Sequence, residues 1–162
     1  MMIETRPLQE TDYAAVLAVA EALPDWFDAD ARERAIPIDL KLQHGFVALC
    51  DGIVAGFITL FVAEGRLTIG WLGVRPDCQR RRIGSRLLAC AEEFGIQHEL
   101  TEIATYTLGD SVDYKPYETT RKFYFSSGFR VYQRSTTDNP GCPEEIRIKK
   151  SIAQSDAAGN RL

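Results

Sequence analysis

Two hydrophobic patterns alternate along the chain. Between residues 15 and 23, apolar side chains recur every three or four positions, as on one face of a helix. The middle of the chain instead contains nearly continuous apolar runs, interrupted at Asp51-Gly52 and Glu64-Gly65, and such dipeptides favour tight hairpin turns. The pattern therefore predicts an antiparallel meander. Its three strands are expected at residues 45–50, 53–63 and 67–74.

The flanking segments extend this meander into a mixed α/β order. Apolar side chains share one face between residues 83 and 94, which predicts a helix with Gly95 at its C-cap. Residues 25–34 are expected to form a short acidic helix or loop, while residues 36–42 fit neither pattern. The remaining strands are expected at residues 3–6, 100–106, 129–134 and 144–151, and the last helix at residues 117–127. The order predicts a single mixed sheet flanked by helices.

Size and charge narrow the class of protein. The chain has 162 residues and a formal net charge of −4, which fits one domain and disfavours a globally basic nucleic-acid binder. The longest uncharged stretch, residues 52–63, is too short to span a bilayer, and the first residues have no apolar core typical of a secretory signal. We expect one domain over residues 1–150, followed by a disordered polar tail over residues 151–162.

The cysteines and histidines suggest neither a metal site nor a disulfide framework. The spacing of the four cysteines matches no zinc template, and His44 and His98 have no partners at ligand spacing. We therefore expect reduced thiols, a cytoplasmic location and no bound metal.

The junction between the third meander strand and the following helix carries the most informative residues. Pro76 breaks the strand, and Gly84 and Ser85 fall in the first helical turn, where backbone N–H groups lack partners and attract anions. Four cations surround this turn: Arg80, Arg81, Arg82 and Arg86. Unpaired cations are unfavourable at that end of a helix, so the junction predicts a cradle for a pyrophosphate. The alternative is an ordinary amphipathic helix with a solvated basic first turn.

Two motifs around this junction and the last helix resemble those of a known family. Val74-x-Pro76-x-x-Gln79-x-x-x-x-Gly84-Ser85-x-Leu87-Leu88 resembles the acetyl-CoA signature of the GNAT superfamily of N-acetyltransferases. Thr120-x-x-Phe123-Tyr124-x-x-x-Gly128-Phe129 resembles the helix and strand that follow it in that superfamily. Residues 113–124, with Asp138-Asn139-Pro140, are similar to one bacterial-type branch.

The resemblance implies a fold, a co-substrate and a reaction. The fold would be a twisted mixed sheet of about seven strands that splays beside the strand at residues 67–74 and takes acetyl-CoA there. Tyr124 would protonate the departing thiolate after a direct attack of an amine on the acetyl carbonyl. The residues implied to bind acetyl-CoA are Leu72, Gly73 and Val74 for the pantetheine, Gln79, Arg80, Arg81, Arg82, Ile83, Gly84 and Ser85 for the pyrophosphate, and Thr120 on the last helix.

The chain departs from the family pattern at three places. Arg82 replaces the first glycine of the signature, and Tyr117 stands where relatives often have asparagine. Many relatives have a glutamate in the strand before the signature, but residues 67–74 contain no carboxylate. The general base is therefore left open among a water chain, an amine that arrives deprotonated, and several carboxylates. These carboxylates are Glu64, Glu102, Asp110, Asp113 and Glu118.

Aromatic and acidic side chains suggest where an acceptor binds. Trp26 and Phe27, two aromatic residues expected to be exposed, form an acidic aromatic segment with Asp28. Asp110 adds charge from a later loop, so all four are candidate substrate-binding residues. Such a patch suits a small cationic amine, whereas the alternative is a solvated helix start in which aspartates are favourable anyway.

Two functions of different classes follow from these observations. The first is an acetyl-CoA-dependent N-acetyltransferase acting on a small amine, as a monomer or homodimer, without nucleic-acid or membrane partners. The second is a non-catalytic acyl-CoA-binding or regulatory domain, which the missing strand carboxylate favours. Tyr124 favours the enzyme, although a tyrosine between Phe123 and Phe125 also suits a hydrophobic core.

Overall fold

The computed structural model describes residues 1–152 and contains four α-helices and seven strands within them. The helices are α1 (Tyr13–Glu21), α2 (Ile36–Leu42), α3 (Ile83–Gln97) and α4 (Lys115–Ser126). The strands are β1 (Ile3–Pro7), β2 (His44–Cys50), β3 (Ile53–Ala63), β4 (Arg66–Val74), β5 (Glu102–Leu108), β6 (Arg130–Thr136) and β7 (Glu144–Ser151). Short 3-10 turns occupy Glu10–Asp12 and Pro76–Cys78, and a π-helical turn at Ala31–Ala35 leads into α2.

All seven strands belong to one mixed sheet in the order β1-β2-β3-β4-β5-β7-β6. β4 and β5 are parallel, whereas β1 with β2, β2 with β3, β5 with β7, and β6 with β7 are antiparallel. The ladder between β4 and β5 consists of Leu67 opposite Ile103 and Thr68 opposite Ala104. The predicted fold class, a mixed sheet of about seven strands flanked by helices, is confirmed.

Both predicted hairpin turns are present. Asp51 and Gly52 have φ of 51° and 85°, and Glu64 and Gly65 have φ of 54° and 74°. Two successive residues with positive φ match the twist of the flanking strands, which is why these dipeptides favour tight hairpins.

The chain divides into two compact units, the first comprising Met1–Val62 with Ile69–Phe94 and the second Ala63–Thr68 with the chain from Gly95 onward. In the first unit, α1 and α2 contribute Val16, Ile36 and Leu40 to a hydrophobic core that also contains Phe57 of β3. α3 lies close to β3, because a Cβ on Gly56 would be 3.2 Å from the side chains of Ile83 and Leu87. These contacts place the start of α3 beside the sheet.

In the second unit, α4 packs on β5 and the strand that follows the helix. The rings of Tyr124 and Phe129 meet edge to face, with centroids 5.1 Å apart. Six charged side chains, called the charge ladder below, form ion pairs among β4, β5, β7 and the turn before β4. They are Glu64, Arg66, Glu102, Glu145, Arg147 and Lys149.

One predicted boundary, the end of α3, is wrong. α3 continues through Gly95 to Gln97, and the left-handed residue that follows the helix is Glu99, with φ of 61°. Gly95 serves packing instead, because a Cβ there would lie 2.5 Å from the Cδ1 of Ile152. Of the predicted tail, residues 151–162, Ser151 ends β7 and Ile152 is 2% exposed. Its other residues, 153–162, lie outside the described part of the chain.

Candidate active site

The segment that joins β4 to α3 is anchored by the residues at its start. The backbone N–H of Arg75 donates to the carbonyl of Ala55 on β3 at 2.8 Å, and the Arg75 guanidinium pairs with Asp77 at 2.9 Å. Cys78 is buried, and the Gln79 side-chain amide donates back to the carbonyl of Val74 at 3.1 Å. The chain therefore leaves β4 along a defined path and reaches residue 79 beside the end of the strand.

Residues 79–86, called the arginine loop below, contain two residues in the left-handed region. Arg80 has φ of 65° and Arg82 has φ of 62°. Such alternation turns successive backbone N–H groups toward one side and forms an anion-binding concavity. The Arg82 carbonyl accepts from Arg86 N–H at 3.0 Å, so Arg82 caps α3. Arg82 occupies the position of the family's first glycine, and its positive φ explains why a glycine suits that position.

Most donors of the arginine loop have no acceptor within residues 1–152. The backbone N–H groups from Arg80 to Ser85 have no acceptor there, and Arg80, Arg82 and Arg86 form no ion pair there. The Arg81 guanidinium donates to the sulfur of Met1 at 2.9 Å. The loop thus combines free N–H groups, a helix start and exposed cations, which is the donor set that a pyrophosphate requires.

The predicted pantetheine residues lie on β4. Leu72 and Val74 are half-buried, whereas Gly73 is buried over the aromatic core. A Cβ on Gly73 would lie 3.0 Å from the ring of Phe57 and 3.1 Å from that of Phe27, so a glycine permits this close packing. Within the arginine loop, Ile83 points its side chain into the core, which leaves its backbone N–H as the group able to face a ligand.

On α4, Thr120 is half-buried and Tyr124 is 5% exposed. Burial raises the pKa of the Tyr124 hydroxyl above its usual range, and a hydrogen bond with the Thr105 side chain opposes part of that shift. Tyr124 therefore remains protonated at neutral pH and is able to donate a proton. Its two ring contacts, with Phe123 and Phe129, also make it a core residue.

Three residues of the predicted acceptor patch, Trp26, Phe27 and Asp28, lie between α1 and the π-helical turn. Phe27 is 6% exposed and packs against Phe57 and Trp71, so the prediction that it is an exposed aromatic is wrong. Trp26 is half-buried against the same core. Asp28 accepts a hydrogen bond from Ala31 N–H at 2.8 Å and thereby stabilises the start of the following helical segment.

Most carboxylates proposed as bases already have cationic partners. Asp110 pairs with Arg134 at 2.9 Å. Glu102 pairs with Lys149 at 2.9 Å and with Arg66 at 3.0 Å, and these hydrogen bonds hold the pKa of Glu102 below its usual range. Glu64 pairs with Arg66 and Arg147 in the same charge ladder. Asp113 and Glu118 are exposed.

The structure adds two residues that sequence reasoning missed. They are Asp39 on α2 and Gln43, the residue that follows this helix. The Asp39 carboxylate accepts from the indole N–H of Trp71 on β4 at 2.8 Å. The amide oxygen of Gln43 is directed at Gly70 on the same strand. Their four-residue spacing is the available signal in the sequence, but it lies in a segment whose helical character the hydrophobic pattern left open.

A family model described as "Acetyltransferase (GNAT) domain" matches residues 41–131, more than half of the chain. The chain belongs to the GNAT acetyltransferase family. It is therefore an acetyltransferase, and its acyl donor is acetyl-CoA. No curated protein matches this GNAT chain in sequence.

Solved structures share the fold of this GNAT acetyltransferase. A putative acetyltransferase of the GNAT family from Desulfovibrio desulfuricans is 20% identical, with 94% of this chain and 100% of that chain covered and a TM-score of 0.82. The ribosomal-protein-S18-alanine N-acetyltransferase from Escherichia coli is 17% identical, with 99% of each chain covered and a TM-score of 0.74. The PaiA N-acetyltransferase from Thermoplasma acidophilum, in complex with coenzyme A, is 22% identical, with 93% and 99% covered and a TM-score of 0.71.

Among the helices described for this GNAT acetyltransferase, none is long and apolar enough to cross a bilayer.

Proposed function

We propose that the enzyme transfers the acetyl group of acetyl-CoA directly to the nitrogen of a primary amine on a small substrate. The observation that carries the proposal is the arginine loop, where the backbone N–H groups of residues 80–85 and the guanidinium groups of Arg80, Arg82 and Arg86 have no partner among the described residues. A pyrophosphate supplies the acceptors and the negative charge that these donors require. The proposed pyrophosphate contacts are the backbone N–H groups of residues 79–85.

The pantetheine arm is proposed to lie along β4. β4 has nine residues, whereas its ladder with β5 has two residue pairs near the start of the strand. The backbone groups of Leu72, Gly73 and Val74 then provide strand-like hydrogen bonds for the amides of the arm. Thr120 is proposed as a further contact from α4.

Acetyl-CoA supplies an acyl carbonyl activated as a thioester, with the CoA thiolate as leaving group. A neutral amine nitrogen forms the new C–N bond and loses one proton to water as the C–S bond breaks. Tyr124 donates its hydroxyl proton to the departing sulfur and then regains a proton from water. A phenol suits this step because its ordinary pKa, about 10, is close to that of a thiol. Burial raises the pKa of Tyr124 above this ordinary value, so the buried hydroxyl is a weaker acid than a free phenol and donates its proton only to the developing thiolate. The enzyme contributes mainly orientation and proton transfer.

The acceptor is proposed as an amine without a requirement for positive charge. Three of the acidic residues around the predicted cationic site are already engaged: Asp28 stabilises a helix start, Asp30 pairs with Arg34, and Asp110 pairs with Arg134. Trp26, two residues before Asp28 in the chain, is still proposed as a residue near the acceptor. A panel containing both cationic amines and an aniline, which is neutral at pH 7, tests this point directly.

The proposal is tested by thiol release from acetyl-CoA with spermidine, kanamycin, lysine, an alanine-starting peptide and p-anisidine. Tyr124→Phe should lower kcat by about 100-fold, because general-acid catalysis typically contributes that much, and should leave the Kd for CoA unchanged. Tyr132→Phe is the matched control, since it removes the same hydroxyl group from a tyrosine on β6 and retains the ring that lies beside Arg66 and Lys149. Tight CoA binding without turnover of any amine would instead support the acyl-CoA-binding alternative.

A further inference from the structure

The amide oxygen of Gln43 is buried and accepts no hydrogen bond within residues 1–152. Gln43 is the C-cap residue of α2, and its backbone N–H donates to the carbonyl of Asp39 at 2.8 Å, so the backbone is held in place. Buried polar atoms in folded proteins nearly always have partners, and an unpaired one destabilises the fold. The oxygen is therefore positioned for a hydrogen-bond donor that these residues do not supply.

This oxygen occupies the space of a missing side chain on β4. A Cβ on Gly70 would lie 2.3 Å from the Gln43 Oε1 and 2.8 Å from the Oγ1 of Thr59, so only a glycine fits beneath the amide. The neighbouring Trp71 N–H donates to the Thr59 hydroxyl oxygen at 2.8 Å. The acceptor oxygen beside Gly70 of β4 therefore comes from Gln43, the residue that follows α2. The strand itself carries no carboxylate between residues 67 and 74.

The position of Gly70 along the strand relates this oxygen to the reaction, and this step rests on the proposed function. If the pyrophosphate lies at the arginine loop and the pantetheine follows β4 from Val74 to Leu72, the acyl end lies near Trp71 and Gly70. The four residue steps from Val74 to Gly70 cover about 13 Å of extended strand. The unpaired oxygen is then at the end of the arm where the amine attacks.

We propose that Gln43 Oε1 accepts a hydrogen bond from an N–H of the acceptor amine and thereby orients the nitrogen lone pair toward the acyl carbonyl. The primary amine of the proposed function keeps an N–H for Gln43 while its lone pair attacks. Gln43 is neutral and takes no proton: the proton released from nitrogen passes to water as the C–N bond forms, and the sulfur is protonated by Tyr124.

The test compares Gln43→Leu, Gln43→Glu and the surface control Gln133→Leu. Gln43→Leu removes the unpaired oxygen and should raise the melting temperature by about 3 °C. It should also raise the KM for the amine about tenfold, while the KM for acetyl-CoA stays within twofold. Gln43→Glu retains an acceptor oxygen and should recover most of the amine affinity, although its buried charge lowers the melting temperature. The exposed Gln133→Leu should change none of these quantities.

The outcomes separate this inference from the function on which it rests. If the wild-type protein releases no CoA thiol with any amine of the panel, the proposed function fails, and calorimetric binding of the same amines to the CoA complex then tests Gln43 alone. An amine KM or Kd unchanged in Gln43→Leu overturns the inference whatever the melting temperature does. The inference also fails if Gln43→Leu raises the KM for the amine and Gln43→Glu does not restore it. The change in KM would then come from altered packing at this position rather than from a lost acceptor oxygen.

Discussion

The arginine loop and the charge ladder use the same kinds of side chain in opposite ways. In the ladder, Arg66, Arg147 and Lys149 each have a glutamate partner, and the charges largely cancel at the surface. In the arginine loop, Arg80, Arg82 and Arg86 have no carboxylate partner within the described chain. Paired surface charges contribute little beyond local order, whereas unpaired cations leave a field that attracts an anion. The net charge of −4 conceals this difference.

Reversing charge in the arginine loop should have the largest effect. Arg81→Glu with Arg82→Glu should raise the Kd for CoA by about 100-fold, equivalent to about 2.7 kcal/mol, because two donors to phosphate become repulsive carboxylates. The measurement is calorimetric titration at two salt concentrations, and the wild-type affinity should fall more steeply with salt. Arg66→Glu is the control in the ladder and should leave the Kd within twofold. A similar loss in both variants would show that net charge alone matters.

Burial should decide whether a paired charge stabilises the fold. Asp12 is 5% exposed and accepts from both terminal nitrogens of Arg6, at 2.7 and 2.8 Å, so Asp12→Asn should lower the free energy of unfolding by about 2 kcal/mol. Urea denaturation measures this difference. Asp30→Asn breaks an exposed pair with Arg34 and should cause no measurable loss. Equal losses in the two variants would contradict the importance of burial.

The Arg6–Asp12 pair predicts how the free energy of unfolding changes with pH. The Arg6 hydrogen bonds hold the pKa of Asp12 below its usual range, so the contribution of Asp12 is complete above the unfolded pKa, near 3.9. It should be lost as the pH falls through the lower folded value. Stability profiles of the wild type and Asp12→Asn should therefore converge in acid, and a gap that widens there would oppose this assignment.

Backbone conformation distinguishes two cations within the arginine loop. Arg82→Gly should raise the free energy of unfolding by about 0.5 to 1 kcal/mol, because φ of 62° is strained for arginine and easy for glycine. Arg86→Gly removes the same charge from the helix and should lower it by about 1 kcal/mol. Thermal denaturation of both variants gives the comparison, and shifts of the same sign would show that charge rather than φ dominates.

The smallest effect is expected in the charge ladder. Glu102→Gln removes a carboxylate that holds Arg66 and Lys149, yet it should lower the free energy of unfolding by less than about 0.5 kcal/mol, because such pairs are solvated. CoA affinity should not change. Urea denaturation at low and high salt measures the loss, and a salt-independent loss above 1 kcal/mol would contradict a solvated pair.

Much of the fold follows from short-range pattern. Asp51-Gly52 and Glu64-Gly65 predict two hairpins because their conformational preferences are local, and the helical period from Ile83 onward predicts the start of α3. The end of α3 does not follow in the same way. Gly95 resembles a cap in the sequence, but its missing side chain makes room for Ile152, a contact between residues far apart in the chain.

In the candidate site, too, the residues that form one local motif could be predicted, whereas those that depend on distant contacts could not. The arginine loop is contiguous, so its residues can be recognised together, and the family motif also predicts Tyr124. Phe27 was misplaced because its burial depends on Phe57 and Trp71, which are distant in sequence. Gln43 could not be found from the sequence, since its unpaired oxygen becomes evident only where α2 meets Gly70 of β4.

The fit of Ile152 against Gly95 has a practical consequence for shortening the chain. Ile152 N–H donates to the carbonyl of Thr101 at 3.0 Å, and its side chain closes the space beside the end of α3. A protein truncated after residue 150, the predicted boundary, would lose the Ile152 side chain. The space beside Gly95 and Leu67 would then be left unfilled. Truncations, engineered protease cleavage sites and fusion partners should therefore be placed after Ile152.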